Sequence, residues 1–327
     1  MNFVKTVTYS PAYTLVPTYE CFNRCSYCNF RADPGKSPWL TLADAEAQLR
    51  SLQHQGVIEI LILSGEVHPQ SDRRSLWFQH IYDLCELALS LSFLPHTNVG
   101  PLSRAEMERL KTVNVSMGLM VEQVTPTLLQ TVHRHAPSKL PALRLQQLAQ
   151  AGELQIPFTT GLLLGIGETE AERSQTLDAI AQLHQRWGHI QEVILQPYSP
   201  GATEAWAGDP FSPQQLLETI ILARRILPSD VTLQIPPNLV PRSHLATCLD
   251  AGARDLGGIG PHDEVNPAYP HPIDLELASN LSNVGWTLVP RLPIYPHHDA
   301  WLPKTLKAAV EQWRERIEDK RQKDRKT

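Results

Sequence analysis

Cysteine is scarce in this chain. Five in 327 residues, an odd number with three of them clustered, do not make the disulfide framework of a secreted protein. Neither sign of charge dominates: 29 Lys and Arg stand against 34 Asp and Glu, a formal net charge of −5. That balance gives no general attraction to nucleic acid or acidic membranes. Long hydrophobic runs are also missing. No segment approaches about eighteen uninterrupted apolar residues, and the opening MNFVKTVTYS lacks the apolar run of a signal peptide. A reduced, cytoplasmic setting is the expectation. No low-complexity linker divides the chain, and no repeat of solenoid or propeller period is present.

What is present is enough apolar material, 42% of residues, to build a full core without a metal or disulfide scaffold. Short apolar runs recur, each followed by a longer stretch of helical pattern. The candidate strands are 13–19, 57–65, 92–100, 113–120, 155–165, 190–198, 231–237 and 253–260. Several are nearly all apolar, as parallel strands buried on both faces must be. Between them, 41–56 opens on Thr41 with Asp44 three residues on, an acidic variant of the capping box, and closes at Gly56. The stretch 168–188 carries acids in its first turn and ends near Gly188. About eight such units predict an α/β chain folded as a closed (β/α)8 barrel rather than an open doubly wound sheet. One domain is expected over 1–327, with the barrel at about 10–295 and a C-terminal helix and charged tail at about 300–327. That helix should turn Leu306, Val310, Trp313 and Ile317 inward. Its Lys/Arg-rich end reads as a solvated tail.

The chemistry is concentrated in CFNRCSYCNF, residues 21–30, where Cys21, Cys25 and Cys28 follow the first strand. In a barrel, that is the C-terminal mouth, where active sites are built. A structural zinc site wants four ligands. Cys85 and Cys248 do not offer the fourth, since each sits on an apolar helical face and reads as a buried, inert core residue. A catalytic zinc with three ligands would want an obvious general base nearby, and none is close in sequence. Three thiolates on a four-iron cluster leave one iron open to another molecule. The spacing Cys-x3-Cys-x2-Cys, with aromatic Tyr27 before the last cysteine, resembles the signature of radical S-adenosylmethionine enzymes.

That resemblance implies one 4Fe-4S cluster on three cysteines, with S-adenosylmethionine chelated at the open iron and cleaved to a 5′-deoxyadenosyl radical. It also nominates cofactor contacts. The family's Gly-Gly-Glu, which receives the methionine amino group, reads here Ser64-Gly65-Glu66, with serine in place of the first glycine. Ser116 and Glu122 stand where related barrels contact the ribose or amino acid. Arg144 is placed to meet the methionine carboxylate. Gly165, Ile166 and Gly167, in GLLLGIGET, match the stretch whose backbone lines the adenine. Taken alone, this glycine run is neither a phosphate loop nor a dinucleotide fingerprint.

Across roughly residues 8–295 the chain resembles the family of the cyclising subunit (subunit 1) of FO synthase, which makes 7,8-didemethyl-8-hydroxy-5-deazariboflavin. The carrying stretches include LPHTNVGPLS, HRHAPSKLPALRL, IPFTTGLLLGIGET and DLGGIGPHDEVNP. The family's implied substrate is 5-amino-5-(4-hydroxybenzyl)-6-(D-ribitylimino)-5,6-dihydrouracil. Hydrogen abstraction, ring closure, loss of ammonia and oxidation make it a carbon–nitrogen lyase. The adduct comes from a partner radical enzyme, the second FO synthase subunit, and an electron donor such as flavodoxin or ferredoxin is implied. A neutral, polyhydroxylated substrate calls for hydrogen bonds, for which His96, Asn98, Thr160, Gln196 and Tyr198 at strand ends are candidates; Thr97, Thr159, Asp263 and Glu264 stand near them. The family often reads Gln-Asn-Phe where this chain has Gln196-Pro197-Tyr198. The pair His133 and His135, with Lys139, reads as structural or substrate-facing, and His297 and His298 as structural. Two rivals share parts of this pattern. One is a biotin-synthase-like or amino-acid-rearranging radical enzyme; the other is a non-enzymatic zinc- or iron-binding scaffold.

Overall fold

The computed structural model describes residues 5–272 and 274–324. Nine strands alternate with helices: β1 (Lys5–Leu15), α1 (Leu42–Ser51), β2 (Glu59–Leu63), α2 (Arg74–Ser90), β3 (Leu94–Asn98), α3 (Arg104–Leu110), β4 (Ser116–Gly118), α4 (Pro141–Glu153) and β5 (Phe158–Leu164). The series continues with α5 (Glu170–Trp187), β6 (Ile190–Pro197), α6 (Pro213–Ile226), β7 (Thr232–Gln234), α7 (Arg242–Ala251), β8 (Asp255–Ile259), α8 (Asp274–Asn283), β9 (Trp286–Pro290) and α9 (Lys304–Asp324). Every strand pairing is parallel, and β1 pairs with both β8 and β2. The first eight strands therefore close on themselves as a (β/α)8 barrel.

Two strand expectations need correction. The first strand runs Lys5–Leu15, upstream of 13–19, because Val16-Pro17 already begins the cysteine loop and Pro17 has no amide to give a ladder. The ninth strand was not foreseen. It pairs with the lower half of β1 (Lys5 to Tyr9), below the segment Ala12–Leu15 that pairs with β2. Helix starts follow local chemistry. Thr41 caps α1 by accepting from the Asp44 amide, although the helix ends at Ser51 and turns replace it up to Gly56. Thr169 and Glu172 form a full capping box on α5, which Gly188 ends in the left-handed region at φ +64°.

The N-terminal end of the barrel is sealed. Pro293 O, just after β9, accepts from Ser116 Oγ (2.6 Å) and Gln191 Nε2 (3.0 Å). Leu306 and Val310 of α9 pack with Ile58, Leu94 and Val115 at the starts of three strands, and Trp313 and Ile317 flank them. This is the inward face foreseen for the terminal helix. Cys85 and Cys248 are buried in the helix layer, as expected of core residues.

Leu306 is 2% exposed, so Leu306→Ala leaves a cavity under the barrel and should cost about 2–5 kcal/mol. Urea denaturation of the purified protein checks this; an unchanged midpoint would mean that α9 does not support the floor.

Candidate active site

With the bottom closed, the lumen opens at the C-terminal mouth into a cavity of about 370 Å³. Cys21, Cys25 and Cys28 line it, all as free thiols. Their loop is fixed by backbone bonds: Cys21 N to Ala32 O, Phe22 N to Glu66 O, Arg24 N to His135 O and Ser26 N to Val132 O, between 2.7 and 3.0 Å. The β6–α6 connection clasps it from the other side. Ala205 N and Trp206 N both donate to Ser26 O, and Asn29 bonds Glu204 and Thr203. Burial pushes the Cys21 thiol up and the Cys25 thiol to about 12. Such thiols ionise when a cation takes them, which is the behaviour of metal-ligand cysteines. Among the described residues, no three His, Cys, Asp or Glu side chains gather closely enough to hold a single metal ion. Three thiolates each serving a different iron of a cluster have no need to.

Next to the thiols, the end of β2 presents Ser64, Gly65 and Glu66. A Cβ on Gly65 would stand 2.2 Å from Glu20 O, so only glycine lets the strand end touch the cysteine loop. Ser64 is accommodated because its hydroxyl turns away from the loop, donating to Gly65 O (2.9 Å) and accepting from Trp77 Nε1 (3.0 Å). Glu66 accepts from Asn23 Nδ2 (2.9 Å) and Arg144 Nη2 (3.3 Å). Arg144, 2% exposed in the first turns of α4, also donates to Ser138 O and Met120 O.

A second pair flanks this one. Lys139 Nζ lies 2.5 Å from Glu122 Oε1, and Glu122 sits after β4 with φ +64°, rare for a residue with a side chain. Despite burial, Lys139 and Arg144 hold the Glu122 carboxyl below its usual range. From sequence Lys139 reads only as structural or substrate-facing; its pairing with Glu122 emerges when the 133–139 segment folds against the cysteine loop. Tyr27 lines the cavity with its hydroxyl 2.9 Å from His133 Nε2, which gives His133 a structural partner. His298 is likewise structural, bonded to Gly188 O.

Not every expected residue reaches the cavity. Ser116 is buried one layer below the mouth, between His96 Nδ1 (2.7 Å) and Pro293 O, so it does not face the site. Thr160 donates to Leu119 O (2.8 Å) and points into the helix layer. It is Thr159 that faces the lumen, since alternate residues of a strand face opposite sides. Gly165, Ile166 and Gly167 do not line the cavity as a free backbone edge. The amides of Gly165 and Ile166 are held by the Glu168 carboxylate, and Ile166 packs in a small apolar cluster with Tyr198 and Tyr27. His96, Asn98, Gln196 and Tyr198 do line the cavity.

The floor holds residues that sequence reading passed over. Arg291, beyond β9, reaches Glu192 of β6 and Asp255 of β8, the latter at 2.6 and 2.8 Å. Glu192 also accepts from Thr159 Oγ1 (3.0 Å) and Tyr295 OH (3.1 Å). Glu59 of β2 completes the ring of acids. The available signal was a charged residue in an otherwise apolar strand: Glu59 within VIEILIL and Glu192 within IQEVIL.

These features define a class. The description Radical SAM superfamily matches residues 15–180, slightly over half of the chain, and the chain belongs to that superfamily. Membership implies an iron–sulfur cluster and S-adenosylmethionine. Among solved structures, the FeFe-hydrogenase maturase HydG of Carboxydothermus hydrogenoformans superposes with a TM-score of 0.70 at 20% identity, over 87% of this chain and 68% of that one. Methylornithine synthase gives 0.68 at 14% identity, over 91% and 86%. Both likenesses concern the fold alone.

Sequence relatives narrow the class. The chain is 66% identical over 311 residues to the 7,8-didemethyl-8-hydroxy-5-deazariboflavin synthase of Trichormus variabilis, covering 95% of this chain and 92% of the relative. It is 65% identical to that of Trichodesmium erythraeum (94% and 97% covered) and 59% identical to that of Gloeobacter violaceus (96% and 97%). Within the radical superfamily, the chain belongs to the 7,8-didemethyl-8-hydroxy-5-deazariboflavin synthase family.

The floor yields a pH prediction. Burial pushes the Glu192 carboxyl up to about 7, Asp255 and Glu59 adding to the shift and Arg291 opposing it. The folded protein then keeps a proton that the unfolded chain has released, so Glu192 makes stability fall as pH rises through about 7. The difference in thermal unfolding between wild type and Glu192→Gln, followed from about pH 5 to 8, should show the wild type losing stability more steeply. Parallel curves would mean that Glu192 does not titrate in this range.

Proposed function

We propose that this chain is the cyclising subunit of FO synthase, converting 5-amino-5-(4-hydroxybenzyl)-6-(D-ribitylimino)-5,6-dihydrouracil to the deazaflavin with loss of ammonia, as a carbon–nitrogen lyase. The observation that carries this reading is the three-thiol wall beside two buried ion pairs, in one barrel cavity of a chain 66% identical to named synthases. Cys21, Cys25 and Cys28 would hold one 4Fe-4S cluster, which with S-adenosylmethionine supplies the 5′-deoxyadenosyl radical. Membership of the family favours this over a biotin-synthase-like or amino-acid-rearranging enzyme and over a non-enzymatic scaffold.

The protein's own groups prepare the cofactor end. Glu66 is positioned by Asn23 and Arg144, so its carboxylate can take an ammonium while Arg144 turns to a carboxylate. The zwitterionic methionine end would thus enter by exchanging partners with an existing pair, without leaving a buried charge alone. Glu122, oriented by Lys139, offers acceptor oxygens to ribose hydroxyls. Tyr27 is locked by His133 and closes the wall behind the thiols. The clasp from the β6–α6 connection holds the loop in place. The adduct would come from the second subunit, and electrons from a flavodoxin or ferredoxin in a reducing cytoplasm. Among the described residues, no helix is long and apolar enough to cross a membrane.

The test is an anaerobic assay of the reconstituted protein with S-adenosylmethionine, reductant and the adduct. Fluorescent deazaflavin and 5′-deoxyadenosine should both form, and both should fall to background in Cys25→Ala together with the bound iron. Deoxyadenosine without deazaflavin would overturn the substrate, and a loaded cluster with neither product would overturn the radical reading.

A further inference from the structure

One buried acid in the lumen has no partner. Glu59 is 7% exposed and lines the cavity at the start of β2. Among the described residues no side chain or amide donates to its carboxylate, and no Lys, Arg or His forms an ion pair with it. The other floor acids are satisfied: Glu192 by Arg291, Thr159 and Tyr295, and Asp255 by Arg291, Thr8 Oγ1 (2.5 Å) and Gly257 N (2.7 Å). The donors of Arg291, Thr159 and Tyr295 are thereby committed to the other two acids. Its carboxylate faces the cavity, where a ligand or water must donate to it.

The same floor offers a second acceptor. Ser116 gives its one proton to Pro293 O, so it accepts from His96 Nδ1–H. Burial keeps His96 neutral, which leaves Nε2 as an acceptor. A ligand group suited to this floor must therefore bring several donors. Depth restricts it further. Glu59 precedes Ser64 by five residues, roughly 16 Å along the strand at ~3.3 Å each. It cannot reach the cofactor residues at the mouth, so it serves the end of the substrate farthest from them.

We propose that Glu59 anchors a polyol chain, accepting hydrogen bonds from its hydroxyls at the barrel floor and so setting which part of the substrate lies under the cofactor site. This rests on the reading above, in which the adduct carries a ribityl group. A neutral polyol is rich in donors and supplies what the floor lacks, and it needs no second charge. Glu59 is then a specificity residue, with no role in bond breaking.

The experiment crosses two ligands with three proteins. The ligands are the ribityl adduct and its counterpart with ethyl in place of ribityl; the proteins are wild type, Glu59→Gln and Glu59→Ala. KM and kcat are read from deoxyadenosine and deazaflavin formation, and Kd from calorimetry without reductant. Removing hydrogen bonds to a charged acceptor should weaken the ribityl adduct roughly ten- to a hundredfold in KM and Kd, with kcat nearly unchanged. The ethyl counterpart should bind wild type and variants alike. Without ligand, Glu59→Gln should leave the melting temperature nearly unchanged, because among the described residues the side chain makes no hydrogen bond or ion pair to lose. Equal loss for both ligands would assign Glu59 to the ring or amino group and overturn the proposal, as would a fall in kcat alone or a destabilised Glu59→Gln. If wild type turns over neither adduct, the cyclising reading itself fails; if it turns over the ribityl adduct and the variants do likewise, only this inference fails.

Discussion

The guanidinium of Arg291 fastens the floor of the barrel. It follows β9, donates its backbone amide to Tyr9 O of β1, and extends its side chain to Glu192 of β6 and Asp255 of β8. Two buried carboxylates from separate strands cannot share a dry space without a cation, and one is supplied from a segment outside the eight-stranded repeat. Burial alone would disfavour the charge on Arg291, yet the acids and Tyr295 hold it well above its usual protonation range. This ion cluster explains why a ninth strand exists: pairing with β1 carries residue 291 to the position where the acids need it.

A sealed floor makes the mouth the cavity's open end, and that end is organised by a different electrostatic rule. There the charges are paired one to one, Glu66 with Arg144 and Glu122 with Lys139. Each pair is neutral and mostly buried, so it holds its geometry without a ligand and can exchange partners with one that carries both signs. Desolvation would make either charge expensive alone, so preformed pairing is a condition for having charged residues beside thiols that burial keeps protonated.

Much of the mouth was legible in sequence because its motifs are local. Three cysteines in eight residues and Ser-Gly-Glu at the end of an apolar strand are short words whose meaning survives without coordinates. Resemblance nominates Arg144 for the methionine carboxylate; in the structure it bonds Glu66, because α4 starts close enough for residue 144 to turn inward. Where reading failed, the cause was direction. Thr159 and Thr160 are neighbours in sequence with opposite fates, and only the pleat decides which one faces the lumen. Ser116 lies in the right strand at the wrong level. The apolar runs were read for their hydrophobicity as buried strands, which hid the single acids inside them.

That oversight concerns a general property of parallel barrels. The outward face of each strand is covered by helices and must be apolar, whereas the inward face meets only other inward faces, and beneath a ligand cavity it can be polar. An acid flanked on both sides by β-branched residues, as Glu59 is by Ile58 and Ile60, therefore carries information that hydropathy averages away. Ile60 faces the helix layer and Ile58 packs on α9 beneath the barrel, while the acid between them faces the lumen. Once there it must be neutralised, hydrogen-bonded or reserved for a ligand. Among the described residues the first two solutions are used at Glu192 and Asp255 and not at Glu59, so the floor keeps acceptors for a ligand while the Glu66 and Glu122 charges at the mouth are paired.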